Sequence, residues 1–89
     1  KLDCSKNDGI NQEGIKELKV LETLNAENNN EINDVNHLAN TLIILNCSGE
    51  CGINQNGISK LKILQTLIAD NNNKIKDINH LNHLITLDC

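Results

Sequence analysis

Two Asp–His pairs stand three residues apart in this chain, Asp34 with His37 and Asp77 with His80, and His83 follows close behind the second. Four cysteines, Cys4, Cys47, Cys51 and Cys89, add thiols to the inventory. An aspartate that orients a histidine is the supporting part of a hydrolytic triad, and His, Cys and Asp are also the ligands of zinc. Either chemistry needs a third group that converges on the pair, a nucleophile or a further ligand. None recurs with these pairs. Serines are few, and the glycines mark corners rather than a phosphate-cradling loop. The histidines therefore read as hydrogen-bonding groups that fix a return turn, and the chain as non-enzymatic, with no cofactor, no catalytic residue and no metal site.

What positions these residues is a repeat. GINQEGI at Gly9 to Ile15 returns as GINQNGI at Gly52 to Ile58. LKVLETLNAENNNEINDVNHL (Leu18–Leu38) is echoed 43 residues later by LKILQTLIADNNNKIKDINHL (Leu61–Leu81). Each long unit contains two short ones, which bring Leu2, Leu24, Leu45, Leu67 and Leu87 into one column at spacings of 20 to 22 residues. Alternation at period two puts Leu24 and Ala26 on one face of a short strand. A lone strand can neither pair its backbone groups nor bury its leucines, and stacking copies about 4.8 Å apart supplies both. Asn7, Asn29 and Asn72 suit the sharp bend after a strand and are expected to stack as a ladder, interrupted at Glu50. The return path differs between flavours. Ile58, Leu61 and Leu64 fit a short inward-facing helix, with Gly14 and Gly57 where that helix starts close to the sheet. Asp34-Val35 and Asp77-Ile78 instead start a tighter 3₁₀ turn.

The same stacking decides the cysteines. Cys4, Cys47 and Cys89 share a column two units apart, so about 10 Å separates neighbours. A disulfide needs Cα atoms within about 7 Å, and zinc–sulfur bonds of about 2.3 Å are equally out of reach. These are small buried thiols. Cys51 lies in the bend four residues after Cys47, a spacing that leaves open whether the two interact.

The pattern L-x-x-L-x-(A/C)-x-x-N-x-x-I, carried by Leu21, Leu24, Ala26, Asn29 and Ile32 and again by Leu64, Leu67, Ala69, Asn72 and Ile75, resembles the leucine-rich repeat. The resemblance spans essentially the whole chain. Units at Leu2–Ile15 and Leu42–Ile58 resemble the cysteine-containing subtype, with E-C-G-I-N-Q-N-G-I where that subtype has C-x-x-I-T-D-x-G-I. The units between, with N-x-x-I-x-D-(I/V)-x-x-L, resemble the short 22-residue subtype of internalins and phosphatase regulatory subunits. The Asn-, Ile- and Lys-rich wording is similar to repeat proteins of large DNA viruses of amoebae and of AT-rich protists. The resemblance implies an α/β fold: a right-handed solenoid with a parallel inner β-sheet and short helices or 3₁₀ turns outside. Residues 1–89 form one repeat segment of about four coils, expected to be a piece of a longer array.

Composition limits the partners. With no Phe, Tyr, Trp, Met or Pro, the interior must be built from Leu, Ile, Val, Ala and Cys, which favours many small layers over one centre. The net charge is −4 and every basic residue is lysine. That balance, without arginine or stacking aromatics, argues against nucleic acid. No apolar run approaches the roughly 20 residues that span a bilayer, which argues against a membrane. Asn46-Cys47-Ser48 is formally a glycosylation sequon, but in a central strand a glycan would obstruct stacking. Abundant inert thiols and this sequon favour an intracellular, cytoplasmic home, with a virion as the alternative.

The surface left to bind is the open face of the sheet. Alternation assigns it three columns: Thr23, Ile44, Thr66 and Thr86; Asp3, Asn25, Asn46, Ile68 and Asp88; and Ser5, Glu27, Ser48 and Asp70. Candidate contacts are Asn25, Glu27, Ile44, Asn46, Ser48, Thr66, Ile68 and Asp70, a polar and slightly acidic set whose only apolar members are the two isoleucines. The expected function is a protein-interaction module or scaffold. Two alternatives stand beside it: a structural spacer or fibre or capsid-associated element, and, by family analogy, the substrate-recruiting part of a ubiquitin-ligase-type complex. Uncapped ends should also let the segment associate end to end.

Overall fold

The computed structural model describes residues 1–5 and 10–88. Five strands, β1 (Leu2–Asp3), β2 (Thr23–Asn25), β3 (Ile44–Asn46), β4 (Thr66–Ile68) and β5 (Thr86–Asp88), form one parallel sheet in sequence order. Their register is the one the leucine spacing requires. Leu2 pairs with Leu24, Leu24 with Leu45, Leu45 with Leu67 and Leu67 with Leu87. Leu24, Leu45 and Leu67 lie buried in a single row, while Leu2 is half-buried and Leu87 stays 45% exposed at the far edge. Strands of two or three residues cannot hold themselves, so the ladder runs on beyond them. Cys4, Ala26, Cys47 and Ala69 each donate an N–H to the last strand residue of the next unit, at 2.7 to 2.8 Å.

After β2, β3 and β4 the chain bends at a residue in the left-handed region: Asn28 (φ 59°), Gly49 (φ 70°) and Asn71 (φ 62°) occupy the same place in successive units. Asparagine and glycine are the residues that enter this region at least cost. The residue after it differs in kind. Asn29 and Asn72 are buried, and their side-chain amides do not stack on one another. Asn29 Nδ2 donates to the carbonyls of Cys4 (2.7 Å) and Ile10 (2.9 Å), and Asn72 Nδ2 to those of Cys47 (2.7 Å) and Ile53 (3.1 Å). The expected asparagine ladder is thus replaced by a reach back into the preceding unit's bend. Glu50 interrupts nothing: it is exposed, its N–H is taken by Asn28 Oδ1 (2.9 Å), and Cys51 turns inward instead. Asn7 lies outside the described residues.

The recurring heptad can be read letter by letter. Ile15, Ile53 and Ile58 are core residues. Asn11 and Asn54 cap the following turn through their side chains, accepting from the N–H of Gly14 (3.0 Å) and Gly57 (2.9 Å). Gln12 clamps the next unit: its Oε1 accepts from the N–H groups of Asn33 and Asp34, and its Nε2 donates to Asp34 O. Gln55 does the same to Lys76 and Asp77. Gly57 runs so close to the Asn33 carbonyl of the preceding unit that a side chain there would collide with backbone. The close approach expected for Gly57 is therefore to the neighbouring unit's corner.

The helices are shorter than the apolar spacing predicts. The chain forms one four-residue helix, α1 (Gln12–Ile15), and short 3₁₀ turns at Asn36–Leu38 and Asn56–Ile58. Ile58, Leu61 and Leu64 are buried as expected, but the helix ends at Ile58 because Leu61 N–H bonds Ile58 O and Lys60 N–H is captured by Asn36 Oδ1 at 2.8 Å. Competition from the neighbouring unit defeats the i→i+4 ladder. The tighter turn expected at Asp34 does form, with Asp34 Oδ1 accepting from Asn36 N–H (2.8 Å).

Leu45, fully buried with a leucine on either side, is the residue on which the row depends. Leu45→Ala should cost about 2–5 kcal/mol. Lys62→Ala, at an exposed position, should stay within about 0.5 kcal/mol. Urea unfolding of both variants measures the difference.

Candidate functional site

Two of the three columns of the open face are assembled as their spacing requires. Thr23, Ile44, Thr66 and Thr86 are in register, and so are Asp3, Asn25, Asn46, Ile68 and Asp88. The second column has a structural duty. Asp3, Asn25 and Asn46 each accept, through the side-chain oxygen, the N–H of the residue two further on: Ser5, Glu27 and Ser48, all at 3.1 Å. These Asx turns hold the chain as it leaves the strand.

Ile68 stands where the fourth unit would need such an oxygen, and it has none. Ser48 fills the gap from the unit before: its Oγ accepts the Asp70 N–H at 3.0 Å, and the residue is only 5% exposed. Ser48 was expected as a face contact. It is a buried bracket, and the isoleucine two positions before Asp70 is the reason. Of the other expected contacts, Glu27, Ile44, Thr66, Ile68 and Asp70 keep exposed side-chain surface, with Ile44 38% exposed, whereas Asn25 and Asn46 present theirs with one oxygen already engaged.

The acidic members of this face act on one another. A side-chain hydrogen bond with Asp88, then partial burial, then the nearby charges of Asp88 and Glu27, hold the Asp70 carboxyl above the usual carboxylate range. Like charges drawn to one side of a sheet attract a cation or a basic surface.

The histidines and cysteines lie away from this face. His37 Nε2–H donates to Ile15 O (3.0 Å), and His80 Nε2–H to Ile58 O (2.9 Å), each reaching the end of the preceding unit's helical turn. A carbonyl can only accept, so Nε2 carries the proton in both rings. Asp34 and Asp77 are each engaged by the N–H two residues on, and neither is brought to its histidine. No Asp–His dyad exists among the described residues. His83 is exposed.

Cys4, Cys47 and Cys51 are buried free thiols, and Cys89 lies outside the described residues. Cys47 and Cys51 do feel each other. Burial, reinforced by Cys51, pushes the Cys47 thiol up to about 12, against a smaller opposing effect of a hydrogen bond with Asn72. Burial raises Cys51 too, offset in part by hydrogen bonds at Ile53 and Gly52 and by Lys74. Protonated thiols of this kind are neither nucleophiles nor metal ligands. Among the described residues no group of three or more His, Cys, Asp or Glu side chains could hold a metal ion. No helix among them is long and apolar enough to cross a membrane.

Two features escaped sequence reasoning. The Asn28, Gly49 and Asn71 column and the clamps of Gln12 and Gln55 are the hydrogen-bonding frame behind the face. The first could have been found from the placing of Asn28-Asn29-Asn30 against Gly49-Glu50-Cys51 at equal distance from the leucines.

No protein-family model matches this sequence, and neither a curated protein nor a solved structure matches it.

Two measurements test the frame. Asn72→Ala should lose about 1–3 kcal/mol for each carbonyl left without its donor, Cys47 O and Ile53 O, as read from chemical denaturation. The Cys47 thiol sets a pH dependence. Its ordinary value is 9.0, and folding holds it near 12, so between these values the folded chain binds more protons than the unfolded one. Stability from this group is complete below about pH 9 and declines by about 1 kcal/mol per pH unit above it. Urea midpoints from pH 8 to 11 should fall less steeply in Cys47→Ala than in the parent chain.

Proposed function

We propose that the chain is a right-handed leucine-rich-repeat solenoid whose open sheet face binds a basic surface of a partner protein. The handedness rests on the general rule for parallel crossovers. One observation carries the binding reading: Ile68 is in register with Asp88 and lies two residues before Asp70, whose carboxyl feels the carboxylates of Asp88 and Glu27, while Ile44 adds an exposed apolar point in the adjoining column. Apolar points rimmed by charges of one sign suit a partner that brings lysine or arginine around an aliphatic anchor. The reading gives the face no chemistry of its own: the side-chain oxygens of Asn25, Asn46 and Ser48 are taken by backbone N–H groups. The role is that of a non-enzymatic interaction module or scaffold, in a cytoplasmic or virion setting.

A second reading, a structural spacer or a capsid- or fibre-associated element, draws on a different observation. Each strand pairs in the same register with the next, which fits a segment made of units that stack on one another. Recruitment of substrates to a ubiquitin-ligase-type complex has family analogy behind it alone.

Changing Glu27→Gln, Ile68→Thr and Asp70→Asn together should leave the unfolding midpoint nearly unchanged. The triple variant should weaken capture of a basic partner by roughly tenfold or more, and raised ionic strength should weaken the parent complex in the same direction. A partner bound with equal affinity by parent and triple variant would remove the face from consideration.

A further inference from the structure

Among the many asparagines of this chain one precedes a glycine: Asn56, before Gly57, in the second copy of the heptad. Every other asparagine is followed by a residue with a side chain. The distinction is chemical. A backbone nitrogen can attack the side-chain amide of the asparagine before it, and glycine, having no Cβ, leaves that approach open. The nitrogen bonds to Cγ, the bond from Cγ to Nδ2 breaks, and ammonia leaves with the backbone proton. Water then opens the resulting succinimide at either carbonyl. One route gives aspartate. The other gives isoaspartate, in which the main chain runs through the former side chain and is longer by a carbon.

The fold blocks this attack. Asn56 begins the 3₁₀ turn Asn56–Ile58, a backbone conformation that turns the Gly57 nitrogen away from Asn56 Cγ. The proton that must leave is held twice, by Asn54 O at 3.0 Å and by Asn54 Oδ1 at 2.9 Å. The Asn56 carbonyl is fixed as well, accepting from Asn36 Nδ2 (2.8 Å) and Ser59 Oγ (3.0 Å). Asn56 itself is exposed, so water and hydroxide reach its amide once the corner opens.

The two products meet different fates in this corner. Gly57 is buried, its carbonyl accepts from Val35 N–H at 3.0 Å, and a carbon added to it as Cβ would already collide with Asn33 O. A main chain longer by a carbon has no room there. In isoaspartate the former Asn56 carbonyl also leaves the main chain as a carboxylate, so the bonds from Asn36 and Ser59 lose their fixed acceptor. Aspartate keeps the main chain intact, and its charge has a precedent: Glu13, 43 residues earlier, places an exposed carboxylate at the same point of the heptad.

We propose that Asn56 is a self-modification site, silent while the heptad's corner is closed, whose isoaspartate product records an opening of the corner and prevents its return. The co-reactant is water. The proposal rests on the corner alone and is independent of the binding face.

Incubating the 89-residue chain in mildly alkaline buffer, with and without urea, tests it. Isoaspartate is counted by enzymatic methylation and placed by mass spectrometry of peptides. Conversion should map to Asn56, be absent there in Asn56→Gln, and run roughly tenfold or more slower in the folded chain than in urea, since only the opened population reacts. Asn54→Ala, which removes one of the two acceptors, should convert faster than the parent without urea. Asn54→Asp, which keeps an acceptor, should convert at the parent's pace. The purified isoaspartate form should unfold at lower urea than the parent, whereas Asn56→Asp should unfold at the parent's midpoint. Equal conversion with and without urea overturns the proposal, and so does an isoaspartate form as stable as the parent. Circular dichroism shows whether Asn54→Ala is folded; the comparison within the parent chain decides without it.

Discussion

Strands of two or three residues have no stability of their own, because each leaves as many backbone donors and acceptors unpaired as it brings. In this chain every strand is held by the next, and the pairing continues through residues just past the strands and through the bends. Cys4 bonds Asn25, Ala26 bonds Asn46, Gln12 N–H bonds Glu31 O and Gln55 N–H bonds Lys74 O. The transfer of hydrogen bonds from one unit to its neighbour, at constant register, is the constraint from which the rest follows. Register places the leucines in a buried row, and the row removes water from the bends. Dry bends in turn make the buried amides of Asn29 and Asn72 necessary, since a carbonyl out of reach of solvent needs a donor.

The neighbours are not alike, and that accounts for the length of the long repeat. Units with a buried asparagine reach backward, to Cys4 and Ile10 or to Cys47 and Ile53. Units with the heptad reach forward, through Gln12 to Asp34 and through Gln55 to Asp77. Each kind supplies what the other lacks. The chemical period is therefore the pair, 43 residues, although the strands recur at about half that distance. His37 and His80 fall under the same rule. Both belong to the asparagine units, and both reach back to close the carbonyl at the end of the heptad's turn.

Sequence periodicity reached the parts of this design that depend on which side of a strand a residue faces. The leucine column, the two registered face columns and the burial of Cys4 and Cys47 all follow from alternation at period two. It failed where a side chain serves the backbone of another unit. Nothing in the spacing distinguishes an asparagine that stacks on its copy from one that reaches back to a carbonyl 25 residues earlier. Ser48 shows the limit most plainly. Its column faces outward in the neighbouring units, but the absence of an acceptor at Ile68 draws its hydroxyl to the Asp70 N–H and takes it out of solvent. The helix expected from Ile58, Leu61 and Leu64 failed for a related reason: Asn36, from the unit before, claims the N–H that would have continued it.

The two copies of the long unit also separate structural duty from freedom. Asn11 and Asn54, Gln12 and Gln55, Asn29 and Asn72, Asp34 and Asp77, and His37 and His80 are identical pairs, and each makes the same kind of hydrogen bond in both places. Where side chains face solvent the copies diverge: Asn25 becomes Ile68, Glu31 becomes Lys74 and Asn33 becomes Lys76. Divergence alone does not mark a binding surface, since it occurs on the bends as well as on the sheet. On the bends, however, it puts lysines in place of a carboxylate and an amide, at exposed positions that water satisfies equally well. On the sheet it removes a turn-forming amide, obliges Ser48 to replace it from the unit before, and sets an isoleucine beside Asp70 and Asp88. A change that loses a local hydrogen bond and exposes apolar surface has no benefit to folding, and that is the physical ground on which contact with a partner is proposed.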